Sequence, residues 1–354
     1  MDEMRTAIRR RASSHAGWLW ACLSVSAWML AGCGRVEKLS ATREAMGTFV
    51  EIQVLVPEVE EFSGRAALST AFEVIEEVEG RTSHYRDDSD IAAIAAAPAG
   101  TAVPIAAWTE RCLAIATGIS ARTEGRYDVT AGPVVSLWGF GPEPGKGIPS
   151  AEAISNALRV VGMDKLVLIP GQCAVSTVVA GVHVDLSSVA KGLAADAAAK
   201  ALKANGFDNF LVNAGGEIRT SSDGSKRWHV GIQVPKEDAP ADEVFADRVL
   251  EMENGAVATS GSYRQYVRRG TNTYSHIVDP RTGRPLRTAT VSVTVRAAEC
   301  AVADAWATAL YTLPAKDAVA LAAATEGIEC LIIERPAEGS DTYRFHATEE
   351  FGGF

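Results

Sequence analysis

The order of apolar and polar residues divides this chain into short strands and mid-length helices. Met46 to Val54 alternates, Val50, Ile52 and Val54 against Glu51 and Gln53, and predicts a strand. Phe62, Ala66, Leu68, Phe72, Ile75 and Val78 recur at helical spacing and predict a helix from Glu61 to about Glu79. A polar loop with Tyr85, Asp87, Asp88 and Ser89 follows, then a helix from Ala106 to Thr123 packed through Leu113, Ile115 and Ile119. Gly125 to Pro133 leads into a Trp138-Gly139-Phe140-Gly141 loop, and Pro142 to Pro149 reads as an exposed connection. Ser150 is placed to cap a helix to about Val161, and short strands are expected near 164–169, 173–178 and 182–186.

The stretch from Val184 to Asp196 reads as strand, tight turn and helix start. His183 to Leu186 alternates, Ser187 or Ser188 stands where an N-cap belongs, and Ala-rich sequence of high helix propensity runs to about Ala204. Beyond it, Phe210 to Asn213 is a buried strand ending in Ala214-Gly215-Gly216-Glu217, and Trp228 to Val234 alternates. Val257 to Tyr263 ends a further strand, and Tyr274 to Gly283 is a strand turning at Pro280 and Gly283. Thr290 to Val295, Cys330 to Glu334 and Thr342 to His346 are strands; Ala301 to Leu313 and Lys316 to Glu326 are helices. Strands and helices alternate irregularly rather than as βαβ units, so the expected class is α+β with mixed sheets and surrounding helices.

Residues 1–32 read as a lipoprotein signal peptide, leaving 33–354 as one domain. Arg5, Arg9, Arg10 and Arg11 form a basic start, and Gly17 to Ala31 is apolar but too short to span a bilayer comfortably. Leu30-Ala31-Gly32-Cys33 matches a lipobox, in which Cys33 becomes the lipidated N-terminus. The rival is an ordinary secretory leader, and the three consecutive arginines hint at a twin-arginine route. Cys112, Cys173, Cys300 and Cys330 are widely spaced without any CxxC, which argues against zinc and leaves disulfides or scattered core thiols open. A net charge of −10 argues against a nucleic-acid surface.

Candidate chemistry gathers at a few positions. A helix start carries unpaired N–H groups and partial positive charge, which suits an anion. Lys191 in that first turn opposes the helix dipole unless a phosphate lies there, yet the P-loop and dinucleotide-fold spacings are both missing. Asp304 and Thr308 lie four apart, hence on one helix face, and offer hard oxygen ligands suited to Mg²⁺. A solvated helix face accounts for the same pair. His276 stands among Ser275, Asp279 and Arg281 and is a candidate general base, or a structural histidine. Gly215-Gly216 and Ser260-Gly261 end strands where backbone can approach a ligand.

In combination and order these stretches resemble a known family. Met46-Gly47-Thr48, Gly125 to Gly132, Trp138 to Gly141, Val184 to Asp196, Val212 to Gly216, Thr259 to Tyr263, Ser275 to Gly283 and Ala303 to Thr308 are similar to the motifs of the FAD:protein FMN transferase family, the ApbE-type lipoproteins. The resemblance implies an ApbE-like flavin transferase fold, with FAD as substrate contacting Met46, Tyr85, Arg126, Tyr127, Asp128, Asp185, Lys191 and Val278. It implies Mg²⁺ held by Ser188, Asp304 and Thr308. Some family members carry an acidic residue where Lys191 stands and Thr where Ser188 stands.

The expected reaction is Mg²⁺-dependent transfer of FMN from FAD to a Thr or Ser hydroxyl of an acceptor flavoprotein, with release of AMP. His276 is the candidate base, assisted by the polar turn around Asp279. FAD hydrolysis to FMN and AMP, and flavin binding without turnover, are the alternatives. Family partners are membrane redox complex subunits and periplasmic flavoproteins. The expected location is the periplasmic side of the bacterial inner membrane, held by lipid at Cys33.

Overall fold

The computed structural model describes residues 35–142, 145, 147–236, 240, 243–263, 266–269, 272–336 and 342–351. The expected signal peptide and Cys33 lie outside the described residues. The chain begins with a hairpin of β1 (Val36–Ala45) and β2 (Thr48–Pro57). Its two-residue turn is Met46-Gly47, at φ 55° and 68°, the left-handed geometry that matches the twist of a tight hairpin. β1 is an edge strand burying only Leu39 and Ala45, so its sequence lacks the alternation that marks β2.

The helices α1 (Glu61–Thr82), α2 (Asp90–Ala96), α3 (Ala107–Arg122), α4 (Gly132–Leu137) and α5 (Ala151–Leu158) follow, with the short strands β3 (Val103–Pro104), β4 (Leu166–Ile169) and β5 (Ala174–Thr177). Then come α6 (Ala190–Ala204), β6 (Phe210–Ala214), β7 (Glu217–Ser221), β8 (Trp228–Gln233), β9 (Val244–Met252) and β10 (Gly255–Gly261). β11 (Tyr266–Arg269), β12 (Asn272–Ser275), β13 (Val278–Asp279) and β14 (Arg284–Pro285) are short hairpin strands. The chain closes with β15 (Thr290–Ala297), α7 (Cys300–Tyr311), α8 (Ala315–Ala323), β16 (Glu329–Glu334) and β17 (Arg344–Ala347).

One antiparallel sheet in the order β1-β2-β6-β7-β10-β15-β16-β17 organises the molecule. Val50, Ile52, Val54 and Val56 of β2 point to one face, where they join Phe72, Ile75 and Val78 of α1 and the alanine face of α6 in the main core. Val257, Leu331 and Ile333 point the other way and pack under β8 and β9 with Val230, Ile232, Leu250 and Met252. Because side chains alternate across a strand, neighbours such as Val257 and Ala258 serve opposite cores. A third, small core joins Ala131, Val134, Trp138, Ile154, Val161 and Val278. The fold is α+β, several sheets with surrounding helices.

Three expectations change. The strand expected at 182–186 is extended chain with a single bridge, Ala131 to His183. The loop from Tyr85 to Ser89 is followed by a helix that was not expected, α2, capped by Ser89 Oγ accepting from Ala92 N at 3.1 Å. Its buried Asp90 holds Ala106 N and Thr109 Oγ1, both at 2.7 Å. Neither Ser187 nor Ser188 caps α6; Val189 is its N-cap residue and has no capping side chain. Ser150 does cap α5, although that helix ends at Leu158. Cys112, Cys300 and Cys330 are buried free thiols and Cys173 is an exposed one.

Candidate active site

Strand directions carry the glycine turns to one end of the main sheet. β2 starts at Thr48 where β6 ends, with Val50 opposite Ala214. β7 starts there at Glu217, and antiparallel β10 ends there at Ser260-Gly261. Gly215 and Gly216 turn β6 into β7 at φ 75° and 109°, and a Cβ on Gly215 would lie 2.6 Å from Thr48 Oγ1. Only glycine lets the two turns approach so closely.

The N-termini of α6 and α7 meet at that end. Gly192 is the contact point: a Cβ there would sit 2.3 Å from the Cys300 carbonyl oxygen. The Asp304 carboxylate, 2% exposed, accepts the Gly192 N–H at 3.0 Å. In return Asp196 of α6 accepts from Cys300 N and Ala301 N, at 3.0 and 2.9 Å, capping α7. The carboxylate that satisfies the start of α6 therefore comes from another helix, which is why local sequence points to the wrong cap.

Lys191 Nζ lies 2.8 Å from Glu217 Oε1 and 3.8 Å from Asp304 Oδ1, and donates to Ser187 O at 3.3 Å. Glu217 is 4% exposed and its second oxygen, Oε2, is buried with no partner. Burial pushes the Glu217 carboxyl up to about 7 against the pull of Lys191, and burial likewise raises Asp304. Burial alone would lower Lys191, but the charges of Asp304 and Glu217 outweigh it and raise the ammonium's pKa. With all three ionised the cluster is an all-oxygen site of net charge −1, with spare acceptor capacity for a cation.

The hydroxyls expected to help form two separate pairs. Thr308 Oγ1 and Ser260 Oγ are 2.9 Å apart, tying α7 to the end of β10. Ser188 Oγ and the buried Tyr127 hydroxyl are also 2.9 Å apart. Burial raises the Tyr127 pKa, and the Asp304 charge adds to it. Asp185 accepts Ser187 N–H at 2.9 Å, and His84 Nδ1 lies 3.1 Å from the same oxygen. The His84 ring meets Tyr85 edge-on at 4.2 Å, and Tyr85 is 66% exposed, an open aromatic face beside the site. Met46 forms the hairpin turn and packs partly against the main core.

The remaining expected residues, Arg126, Asp128, His276, Val278 and Asp279, lie around β13 and in the loop before α4. Ile277 enters the main core while Val278 enters the small core, so His276 is pinned at a seam between them, 6.1 Å from the Phe140 ring. Trp138 Nε1 donates to Gly283 O at 2.7 Å, locking the glycine-rich loop to the turn after β13. The Asp279 carboxylate is taken up by Arg281, at 3.0 Å from Nε and 2.8 Å from Nη2. Burial raises its pKa, but Arg281 and the more distant Arg126 more than offset this and hold it below the usual carboxylate value. Asp279 thus holds the turn as an anion paired with Arg281. Asp128 spends its oxygens on Thr130 N, Thr130 Oγ1 and Met163 N, and so shapes the loop that presents Arg126 and Tyr127. A cavity of about 560 Å³ is lined by Glu124, Asp128, Met163 and Arg281 among others.

Sequence reasoning missed Glu217 and His84. Glu217 carried one usable signal, an acidic residue directly after a strand-ending Gly-Gly. His84 carried none.

Residues 46–332 match the ApbE family model. This chain belongs to the ApbE family. A Vibrio cholerae relative called FAD:protein FMN transferase is 32% identical over 337 residues, 94% of this chain and 98% of the relative. A Haemophilus influenzae protein of the same description is 33% identical, covering 80% of this chain and 83% of its own length. Among solved structures, the flavin transferase ApbE of Vibrio cholerae, as a histidine-to-glycine variant, aligns with a TM-score of 0.77 at 31% identity, covering 89% of this chain and 98% of that one. The Thermotoga maritima ApbE protein aligns with a TM-score of 0.76 at 29% identity, with the same coverages.

Proposed function

We propose that this chain transfers FMN from FAD to a Thr or Ser hydroxyl of an acceptor flavoprotein, releasing AMP. The observation that carries the reading is the buried Lys191–Glu217–Asp304 cluster at the N-terminus of α6. A helix start and a lysine form a natural seat for a pyrophosphate. Tyr85 supplies a face for an aromatic ring at the rim.

The same cluster fits Mg²⁺. Its donors are all oxygen, its net charge with all three groups ionised is −1, and one buried carboxylate oxygen stands unpartnered. Asp304, Thr308 and Ser188, the last through its hydroxyl or carbonyl oxygen, are the residues to hold the ion. Bound there, the ion neutralises pyrophosphate charge and acts as a Lewis acid on a phosphoryl oxygen.

The chain's own groups do the rest. Lys191, at the positive end of the α6 dipole, holds the pyrophosphate against its own charge. The acceptor hydroxyl attacks the FMN-side phosphorus; a new P–O bond forms as the bond to the bridging oxygen breaks and AMP leaves. His276 receives the hydroxyl proton, and the Arg281–Asp279 turn fixes the backbone that carries it. Phosphoryl transfer needs positioning and charge neutralisation more than covalent help, and the rigid packing of α6 on α7 provides it.

The lipobox at Cys33 and the apolar leader support a lipid-anchored protein on the periplasmic side of the inner membrane. Acceptors would then be periplasmic flavoproteins or subunits of membrane redox complexes. Among the described residues no helix is long and apolar enough to cross a membrane. The test is incubation with FAD, Mg²⁺ and candidate acceptor subunits, read by mass spectrometry. An FMN mass shift on a Thr or Ser with one AMP released supports the reading; AMP release without any shift makes the enzyme a hydrolase.

A further inference from the structure

Glu217 has been given no ligand or proton-transfer role so far, yet it is the closest carboxylate to Lys191. Its backbone is fixed by pairing with Ala214 across the Gly215-Gly216 turn, and its side chain is almost fully buried. A buried ammonium needs a counter-charge. Two carboxylates act strongly on Lys191, Glu217 and Asp304, and the ammonium has taken the first: 2.8 Å against 3.8 Å. Lysine reaches on a flexible four-carbon stem. With Glu217 gone, a small swing would seat the ammonium on Asp304 Oδ1, the oxygen not engaged by Gly192 N–H. That is the oxygen left for a metal ion.

We propose that Glu217 is a positioning residue that latches Lys191 away from Asp304 and so keeps the Asp304 carboxylate open to the divalent cation. This rests on the reading of Asp304 as the cation's ligand. The latch leaves Lys191 charged and aimed at the pyrophosphate while preventing it from becoming the ion's competitor. The obvious rival is that Glu217 binds the ion itself through its unpartnered Oε2.

A double-mutant cycle separates the two, because coupling through Lys191 disappears when Lys191 is absent. Mn²⁺ is the probe, titrated into the full protein without FAD, with free Mn²⁺ read by electron paramagnetic resonance. Glu217→Gln should weaken Mn²⁺ binding about tenfold when Lys191 is present, and less than about twofold in a Lys191→Met background. Equal or greater weakening in the Lys191→Met background makes Glu217 a ligand or a bare charge and overturns the proposal, as does no weakening in either. Glu217→Asp keeps the charge but shortens the reach, and serves as the second variant should the Gln protein fail to fold. It too should weaken Mn²⁺ only while Lys191 is present, and any other result counts against the latch. Asp304→Ala is the control on the underlying reading: if it leaves Mn²⁺ binding unchanged, the metal assignment fails, whatever the cycle shows.

Discussion

Asp304 and Gly192, 112 residues apart, are joined by a 3.0 Å hydrogen bond from the first turn of α6 to a carboxylate of α7. Asp196 returns the favour at the start of α7. Two helices that cap each other behave as one rigid unit, and the candidate phosphate and cation groups all sit on it or against it. The rigidity depends on Gly192, where α6 touches the Cys300 carbonyl.

Gly192→Ala should therefore force the helices apart. Overpacking of this kind costs about 1–3 kcal/mol. Thermal melting should fall by several degrees, and Mn²⁺ affinity should fall with it because Asp304 moves. A variant that melts and binds like the wild type would mean that the contact tolerates a methyl group, and the rigid-unit account would fail.

Asp304→Ala should abolish FMN transfer, and chelation by EDTA should do the same to the wild type, reversed by added Mg²⁺. AMP release is the measurement. Full activity in chelator would remove the metal from the mechanism.

His276→Ala should leave FAD affinity nearly unchanged, since the proposed phosphate seat lies on α6. Single-turnover transfer at saturating FAD should drop by roughly a hundredfold to ten-thousandfold, the range for a positioned acid or base. Parallel loss of FAD binding and thermal stability would instead mark a structural histidine. Unchanged transfer would rule it out and pass the role to Asp279 or to a hydroxyl activated by the metal alone.

The His84–Asp185 pair should leave a pH signature in stability. Burial lowers the His84 pKa, but the Asp185 hydrogen bond and charge outweigh it, so the net shift is upward from 6.5. Its contribution is complete below pH 6.5 and is lost as pH rises through the raised value. Burial raises Asp185, but His84 and the Ser187 bonds take it below 3.8, so its contribution holds above that and fades as pH falls further. The melting-temperature gap between wild type and His84→Gln should be widest between these two values, pH 3.8 and 6.5, and shrink above neutrality. A gap independent of pH would show that the pair is not ionic.

Cys33→Ser should release the exported protein from membranes into the soluble periplasmic fraction. Mutant protein still sedimenting with membranes after a carbonate wash would place the anchor elsewhere.

Local pattern sufficed where burial on one face leaves a period. β2, α1, α3 and α7 stood out because Val50, Ile52 and Val54, or Phe72, Ile75 and Val78, recur at the spacing of one buried face. Lys191 in a first turn and the Asp304/Thr308 pair on one helix face were also legible, because each is a matter of a few residues along one element. β1 was not, because an edge strand buries one side chain here and another there. α2 and α4 were too short to show a period.

The site itself was settled by tertiary structure. Periodicity tells which face of α6 is buried; it does not tell that Asp304 satisfies its Gly192 N–H, nor that Lys191 prefers Glu217. Asp279 shows the same limit from the other side. Near His276 in sequence it read as a helper base, whereas Arg281 two residues on claims both of its oxygens. Charges find partners by distance in space, and the glycines at 192 and 215 set those distances by letting backbone approach backbone or side chain where any Cβ would intervene.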